Sequence, residues 1–380
     1  MALSKPQLGI QSPIQCQLCE QSSKISWKCL ECDLLMCNVC KNNIHPKIKT
    51  TGEHRIISSK DIGSTLSPSK VIGSISPSNK DPTNVDITVV EEYQTKLEGV
   101  GHLAISLDDS LWIGDGDCKK GKIFFTSHTG LQKVKFEGTK LKVKYSFNIH
   151  VNGMSITPGN DLLIATYGQD LLTQIRNGTN KVVNTVYKVD PYHPVYIYVT
   201  SKNKVIVGTE TDTGDKGMVI VMDLEGNHEK VYGEDQTKGI SFTLPFRITE
   251  SNNGNIFVVD IINYEGEGRV IVLGHEHIIQ TYCGHSVINT ENKTFTPSDL
   301  TTTPAGNVIV EDIYRYTLHI LNSTGNLISY ISTKDKGIVQ NPFSVGLTMV
   351  GHFCMLYLGT YPPVGSKDKG KLYKLNLTGC

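Results

Sequence analysis

From about residue 87 to its end the chain alternates short apolar runs with turns rich in Gly, Asn and Asp, and almost no stretch shows a helical period. That pattern predicts β-structure throughout. Five segments align on one another: "DDSLWIGD", "GNDLLIAT", "KNKVIVGT", "GNIFVVD" and "GNVIVED", with a weaker sixth in "FCMLYLGT". Each is a turn followed by an apolar strand that closes on Asp or Thr. The closing residues, Asp115, Thr166, Thr209, Asp260, Asp312 and Thr360, are separated by 51, 43, 51, 52 and 48 residues. Repeats of this length with several strands apiece predict the blades of a β-propeller.

About ten residues past each anchor comes a hairpin, as in "MVIVMDLEGNHEKVYG" and "LHILNSTGNLISYIS". A blade then has four strands: one before the anchor, the anchor strand, and the two of this hairpin. The sixth repeat stops after its third strand, in "KLYKLNLTGC". A donor for the missing strand stands just before the first repeat, in "DITVVEEYQTKL" (Asp86 to Leu97). Pairing the two ends closes a ring of six blades and removes its open edges. Residues 87–380 are therefore expected to be one six-bladed propeller.

Upstream the character changes twice. Residues 58–86 carry eight serines and three prolines with few apolar positions, which predicts a flexible tether without a core. Ser67-Pro68 and Ser76-Pro77 within it are candidate proline-directed phosphorylation sites. Before the tether, "CQLCEQSSKISWKCLECDLLMCNVC" holds six of the chain's ten cysteines, and His45 and His54 follow. Three C-x2-C pairs have the spacing of zinc knuckles. With the two histidines they make eight ligands, Cys16, Cys19, Cys29, Cys32, Cys37, Cys40, His45 and His54, enough for two structural zinc ions with no open position. Metal suits a segment near the lower limit for folding on its own core, and Trp27, Leu34, Leu35, Met36 and Ile44 are the expected mini-core.

Residues 11–57 resemble the B-box zinc finger of the tripartite-motif family, on "WKCLECDLLMCNVC", the closing "EHRII" and the final pair of histidines. The family's cross-brace implies that Cys16, Cys19, Cys37 and Cys40 hold one zinc, and Cys29, Cys32, His45 and His54 the other. Many members have histidine where this chain has Cys19. Some use aspartate at the fourth ligand position, which makes Asp33 a rival to Cys32. "PFRITESNNGNIFVVD" and "PSDLTTTPAGNVIVED" resemble the repeat of NHL propellers, which implies the same six-bladed closure. The combination resembles a tripartite-motif protein without RING or coiled coil: 15 residues precede Cys16, and no heptads follow.

Charge and scattered chemistry change this picture little. Lys+Arg and Asp+Glu balance at 37 each, and residues 87–380 carry 27 basic and 30 acidic side chains, net −3. Such a propeller is not a wholesale polyanion binder. The opening "MALSKPQLGIQSPIQ" has no apolar run after a basic segment and no stretch approaches the roughly 18 apolar residues of a membrane span, so a cytoplasmic chain is expected. The ten histidines of residues 87–380, among them His102, His193, His285 and His352, fall in different repeats without metal-ligand spacing. "HEH" at 275–277 falls in a hairpin turn, and Cys118 in a loop. No catalytic set emerges, and the expectation is a non-enzymatic adaptor whose B-box and propeller bind proteins. RNA binding through the propeller and an accessory role in a ubiquitin ligase are the alternatives. Self-association has no coiled coil to drive it.

Overall fold

The structure is a computed structural model that describes residues 19, 26–29, 35–43, 56–58, 85–115, 129–166, 168–179, 181–214, 216–233, 239–290, 292–363 and 365–379. The chain divides into two compact units, Met1–Asn79 and Lys80–Cys380.

In the first unit, β1 (Trp27–Cys29) pairs antiparallel with β2 (Leu35–Met36), α1 (Asn38–Asn43) follows, and β3 (Ile56–Ser58) pairs on the other side of β1. Met36 and Cys40 are buried. The Trp27 indole N–H donates to Asn38 Oδ1 at 3.1 Å, and the Lys41 ammonium stands 4.0 Å from the ring centroid. These contacts hold the short helix against β1, where the apolar core is small.

The second unit begins with β4 (Asp86–Gln94). The first sheet then holds β5 (His102–Ile105), β6 (Leu111–Gly114), β7 (Gly130–Glu137) and β8 (Lys140–Asn148). The second holds β9 (Gly153–Ile156), β10 (Leu162–Ala165), β11 (Leu171–Ile175) and β12 (Val182–Lys188). The third holds β13 (His193–Val199), β14 (Val205–Glu210), β15 (Gly217–Met222) and β16 (His228–Tyr232). The fourth holds β17 (Leu244–Glu250), β18 (Ile256–Ile261), β19 (Gly268–Leu273) and β20 (Ile278–Tyr282). The fifth holds β21 (Pro297–Thr302), β22 (Val308–Asp312), β23 (Thr317–Leu321) and β24 (Leu327–Ser332). The sixth holds β25 (Asn341–Val350), β26 (Phe353–Tyr361) and β27 (Lys371–Thr378), and takes β4 as its outer strand.

The first strands touch in a closed circle, from β5 through β9, β13, β17, β21 and β25 back to β5. This is a six-bladed propeller, and the chain is mostly β. Its second strands lie between neighbouring blades on both faces, which is why they read as unbroken apolar runs: β6, β10, β18 and β22 are buried at every residue. Alternate side chains feed opposite interfaces. Val308 and Val310 pack toward the fourth blade, while Ile309 packs toward the sixth. Six apolar clusters result, one at each junction of adjacent blades.

Four of the six repeated closing residues hold the entry to the inner strand of their blade. Asp115 Oδ1 accepts the Gly99 N–H at 3.0 Å, and Asp260 Oδ1 accepts those of Thr243 and Leu244, both at 2.8 Å. The Thr296 hydroxyl donates to Asp312 Oδ1 at 2.8 Å. Each tie reaches back 16 or 17 residues within one blade. Thr360 makes the corresponding contact through its hydroxyl, which donates to Gln340 Oε1 at 2.6 Å. A carboxylate that accepts backbone N–H groups pre-shapes the loop, and its period is the period of the sequence.

The ends of the propeller meet as expected. β4 pairs antiparallel with β27 from Asp86↔Thr378 to Gln94↔Lys371, burying Ile87 and Tyr93. Those two side chains are worth about 1.5–3 kcal/mol each, and the pairing covers the β27 edge. A chain starting at residue 97 is therefore expected to lose its cooperative thermal transition and associate, whereas one starting at residue 80 melts as a monomer. Light scattering and circular-dichroism melts of the two check this; equal melting temperatures would contradict it.

Candidate metal centre and axial site

In the first unit the chain turns at Cys37, just ahead of α1, and the helix brings Cys40 onto the same side. The sulfurs of Cys19, Cys37 and Cys40 all lie within 4.8 Å of one another, with Cys37 and Cys40 buried. Tetrahedral zinc with Zn–S near 2.3 Å spaces its sulfurs by about 3.8 Å, so the three thiols fit such an ion and can hold a metal. Soft sulfur donors in this number favour zinc over magnesium or calcium. Cys16, Cys32, Asp33, His45 and His54 lie outside the described residues, as does the Cys29 side chain. The second zinc therefore stays a sequence expectation.

In the propeller, one position on each inner strand sits opposite the residue that precedes the anchor. These positions are His102, Gly153, Tyr196, Arg247, Asp299 and Ser344. On β13, β17, β21 and β25 the position stands two residues after a proline, Pro194, Pro245, Pro297 or Pro342, and the ladder slips between the two. Such a bulge re-aims the next side chain. Gly153 is glycine because a Cβ there would lie 2.6 Å from Tyr196 Cα of the adjacent blade.

Arg247 dominates this ring although it is 1% exposed. Its Nε stands 3.4 Å from Asp299 Oδ1 in the fifth blade, and its Nη2 donates to the Gly101 carbonyl of the first blade at 3.0 Å. Nη1 donates to the Phe246 carbonyl at 3.1 Å. The guanidinium lies 4.9 Å from the Tyr196 ring centroid in the third blade and 5.9 Å from that of Phe343 in the sixth. One side chain thus links five blades.

Asp299 is held from the other side: Oδ1 accepts the Leu300 N–H at 2.8 Å and Oδ2 the Val345 N–H at 2.9 Å. Burial still pushes its carboxyl up to about 6, against the opposing pull of Arg247. Opposite it on β22, Glu311 is fully buried, with the Ser298 hydroxyl as a polar neighbour. Burial, then the Asp299 charge, drive Glu311 well above the usual glutamate range. Burial, then the charge of Arg247, drive His102 well below the usual imidazole range, so its ring is neutral. The site collects buried acid–base groups around an Arg–Asp pair.

The other sequence candidates are not gathered here. His275 and Glu276 of "HEH" are exposed in the β19–β20 turn and stand 3.7 Å apart. His193 Nε2 bonds Asp212 Oδ1 at 2.5 Å, away from the ring. Cys118 lies outside the described residues. Among the described residues no helix is long and apolar enough to cross a membrane.

No protein-family description matches the chain, and no curated protein matches it. Solved structures share the propeller. The PQQ-bound form of an aldose sugar dehydrogenase from Streptomyces coelicolor aligns over 78% of this chain and 99% of its own, with TM-score 0.53 and 10% identity. A gluconolactonase from Xanthomonas campestris aligns over 77% and 90%, with TM-score 0.52 and 11% identity. A luciferin-regenerating enzyme aligns over 78% and 95%, with TM-score 0.50 and 11% identity. The likeness is one of fold. It nevertheless corrects the expectation of a non-enzyme: this architecture carries enzymes, and histidines scattered among repeats gave no ground to exclude catalysis. A propeller assembles its axis from one residue per blade, so the absence of a local motif is uninformative.

Two outcomes are expected of the axial cluster. Arg247→Met leaves a buried carboxylate unpaired and costs about 3–5 kcal/mol, much of it recovered in the Arg247→Met/Asp299→Leu pair; urea titrations of the three chains measure it. Glu311 is raised in the fold, so as pH climbs above 4.5 the unfolded chain releases a proton that the fold still holds, and stability falls until the folded value is reached. Glu311→Gln should therefore equal the parent near pH 4.5 and gain roughly 1.4 kcal/mol per pH unit above it. A pH-independent difference would refute this assignment.

Proposed function

We propose that the chain is a zinc-binding interaction protein of tripartite-motif type, built as a B-box at 11–57, a tether at 58–86 and an NHL-like propeller at 87–380, and working in the cytoplasm. The convergence of Cys19, Cys37 and Cys40 carries this reading. It joins a thiol of the first C-x2-C pair to both thiols of the third, across the second pair. That supports the interleaved cross-brace, with Cys16 as the fourth ligand of the same ion. Cys29, Cys32, His45 and His54 then bind the second zinc. Each structural zinc contributes about 10–16 kcal/mol of apparent binding free energy to such a module.

The propeller supplies the larger recognition surface. Its mouths are built from turns of six different repeats on a frame tied through the axis, the arrangement in which loops carry binding. Protein partners fit its near-neutral charge better than nucleic acid does. The experiment is metal analysis of the purified full chain together with crosslinked partner capture, split into nuclease-treated and untreated halves. About two zinc ions per chain and partners that survive nuclease are expected. One ion or none at saturating zinc overturns the B-box, and nuclease-sensitive capture favours RNA.

A further inference from the structure

One blade departs from the symmetry of the others at the mouth where the inner strands end. Inner strands stop three residues beyond the axial ring: His102 to Ile105, Gly153 to Ile156, Tyr196 to Val199, Arg247 to Glu250 and Asp299 to Thr302. β25 instead continues six residues past Ser344, to Val350, in register with β26 up to Val350↔Phe353. The extra three residues stand about 10 Å beyond the neighbouring strand ends. β25 is the first strand of its sheet, and β26 covers only its outer side. Alternate N–H and C=O groups of the overhang therefore face the mouth without a ladder partner among the described residues, as on any edge strand. Met349, Val350 and Phe353 are exposed there.

At the foot of this overhang lies a cleft of about 470 Å³, within the range of ligand pockets. Leu347 and Met349 form one wall, Tyr198 and Pro304 lie on the others, and Glu250 and Lys202 supply charge. The two charges differ in their surroundings. Lys202 is exposed and stays hydrated, whereas Glu250 is half-buried. The Glu250 carboxylate has no hydrogen bond or ion pair within 4.0 Å among the described residues, and burial raises its pKa against the weaker opposing pull of the nearby Lys202 charge. A half-buried carboxylate that accepts no hydrogen bond is stabilised by a cation that donates to it directly, which the exposed Lys202 does not do.

We propose that this cleft and the free edge of β25 dock an extended segment of a protein partner. The segment adds as a strand beside Thr348–Val350, seats apolar side chains against Leu347 and Met349, and places a basic side chain on Glu250. Strand addition of this kind takes affinity from the backbone and specificity from alternate side chains. The proposal rests on the partner-binding reading above and names the surface and the chemistry that reading leaves open.

The test uses the full chain and two pools of fluorescein-labelled hexapeptides, alternating β-branched and polar residues around a central arginine or a central glutamate. Fluorescence anisotropy is expected to show the arginine pool binding at least tenfold more tightly. Glu250→Gln should erase that preference, and Met349→Asp, at an exposed position, should weaken the arginine pool tenfold without moving the thermal transition. Pools that bind equally, that fail to bind, or that ignore both substitutions overturn the proposal. If partner capture and zinc content are as expected while the peptides fail, the cleft assignment falls and the interaction reading stands.

Discussion

The propeller is organised around a guanidinium buried on its own axis. An arginine 1% exposed is cut off from bulk solvent with five donors to satisfy, and it is kept there by a carboxylate, two carbonyls and aromatic faces drawn from five blades. Asp299 is in turn fastened to the sixth blade through the Val345 N–H, and Ser344 reaches the Val100 carbonyl of the first blade at 2.7 Å. The inter-blade clusters supply most of the burial, but they are non-directional. The axial bonds fix how far five of the blades stand from the centre and at what rotation.

Part of this was legible in the sequence, and for a physical reason. The aspartate anchors recur because three blades bind their own entry loops 16 or 17 residues upstream, so the contact is local and its spacing repeats. The second strands are read easily because burial on both faces leaves them uniformly apolar. The missing fourth strand followed from counting, since an open β27 edge needs a partner.

The axial ring was not legible, because its members are as unlike as His102, Gly153, Tyr196, Arg247, Asp299 and Ser344 and lie some fifty residues apart. Their chemistry is complementary across the axis, which erases any common motif. A faint signal was available: four of them stand two residues after a proline. The thiol cluster shows the opposite case. Residue type and short spacing brought Cys19, Cys37 and Cys40 forward directly, because paired thiols at C-x2-C spacing are rare enough to stand out along the chain.

The closure of the sixth blade also sets a timetable. Asp86 and Thr378 are bonded across 292 residues of chain. At synthesis rates of about 5–20 residues per second, β4 leaves the ribosome roughly 15–60 seconds before β27 exists to receive it. Throughout that interval it is an unpaired strand with Val89, Val90 and Tyr93 in it. Asp86, Glu91 and Glu92 break up its apolar character, as gatekeeper charges do in segments that must wait. The acidic positions of β4 therefore belong as much to the nascent chain as to the finished ring.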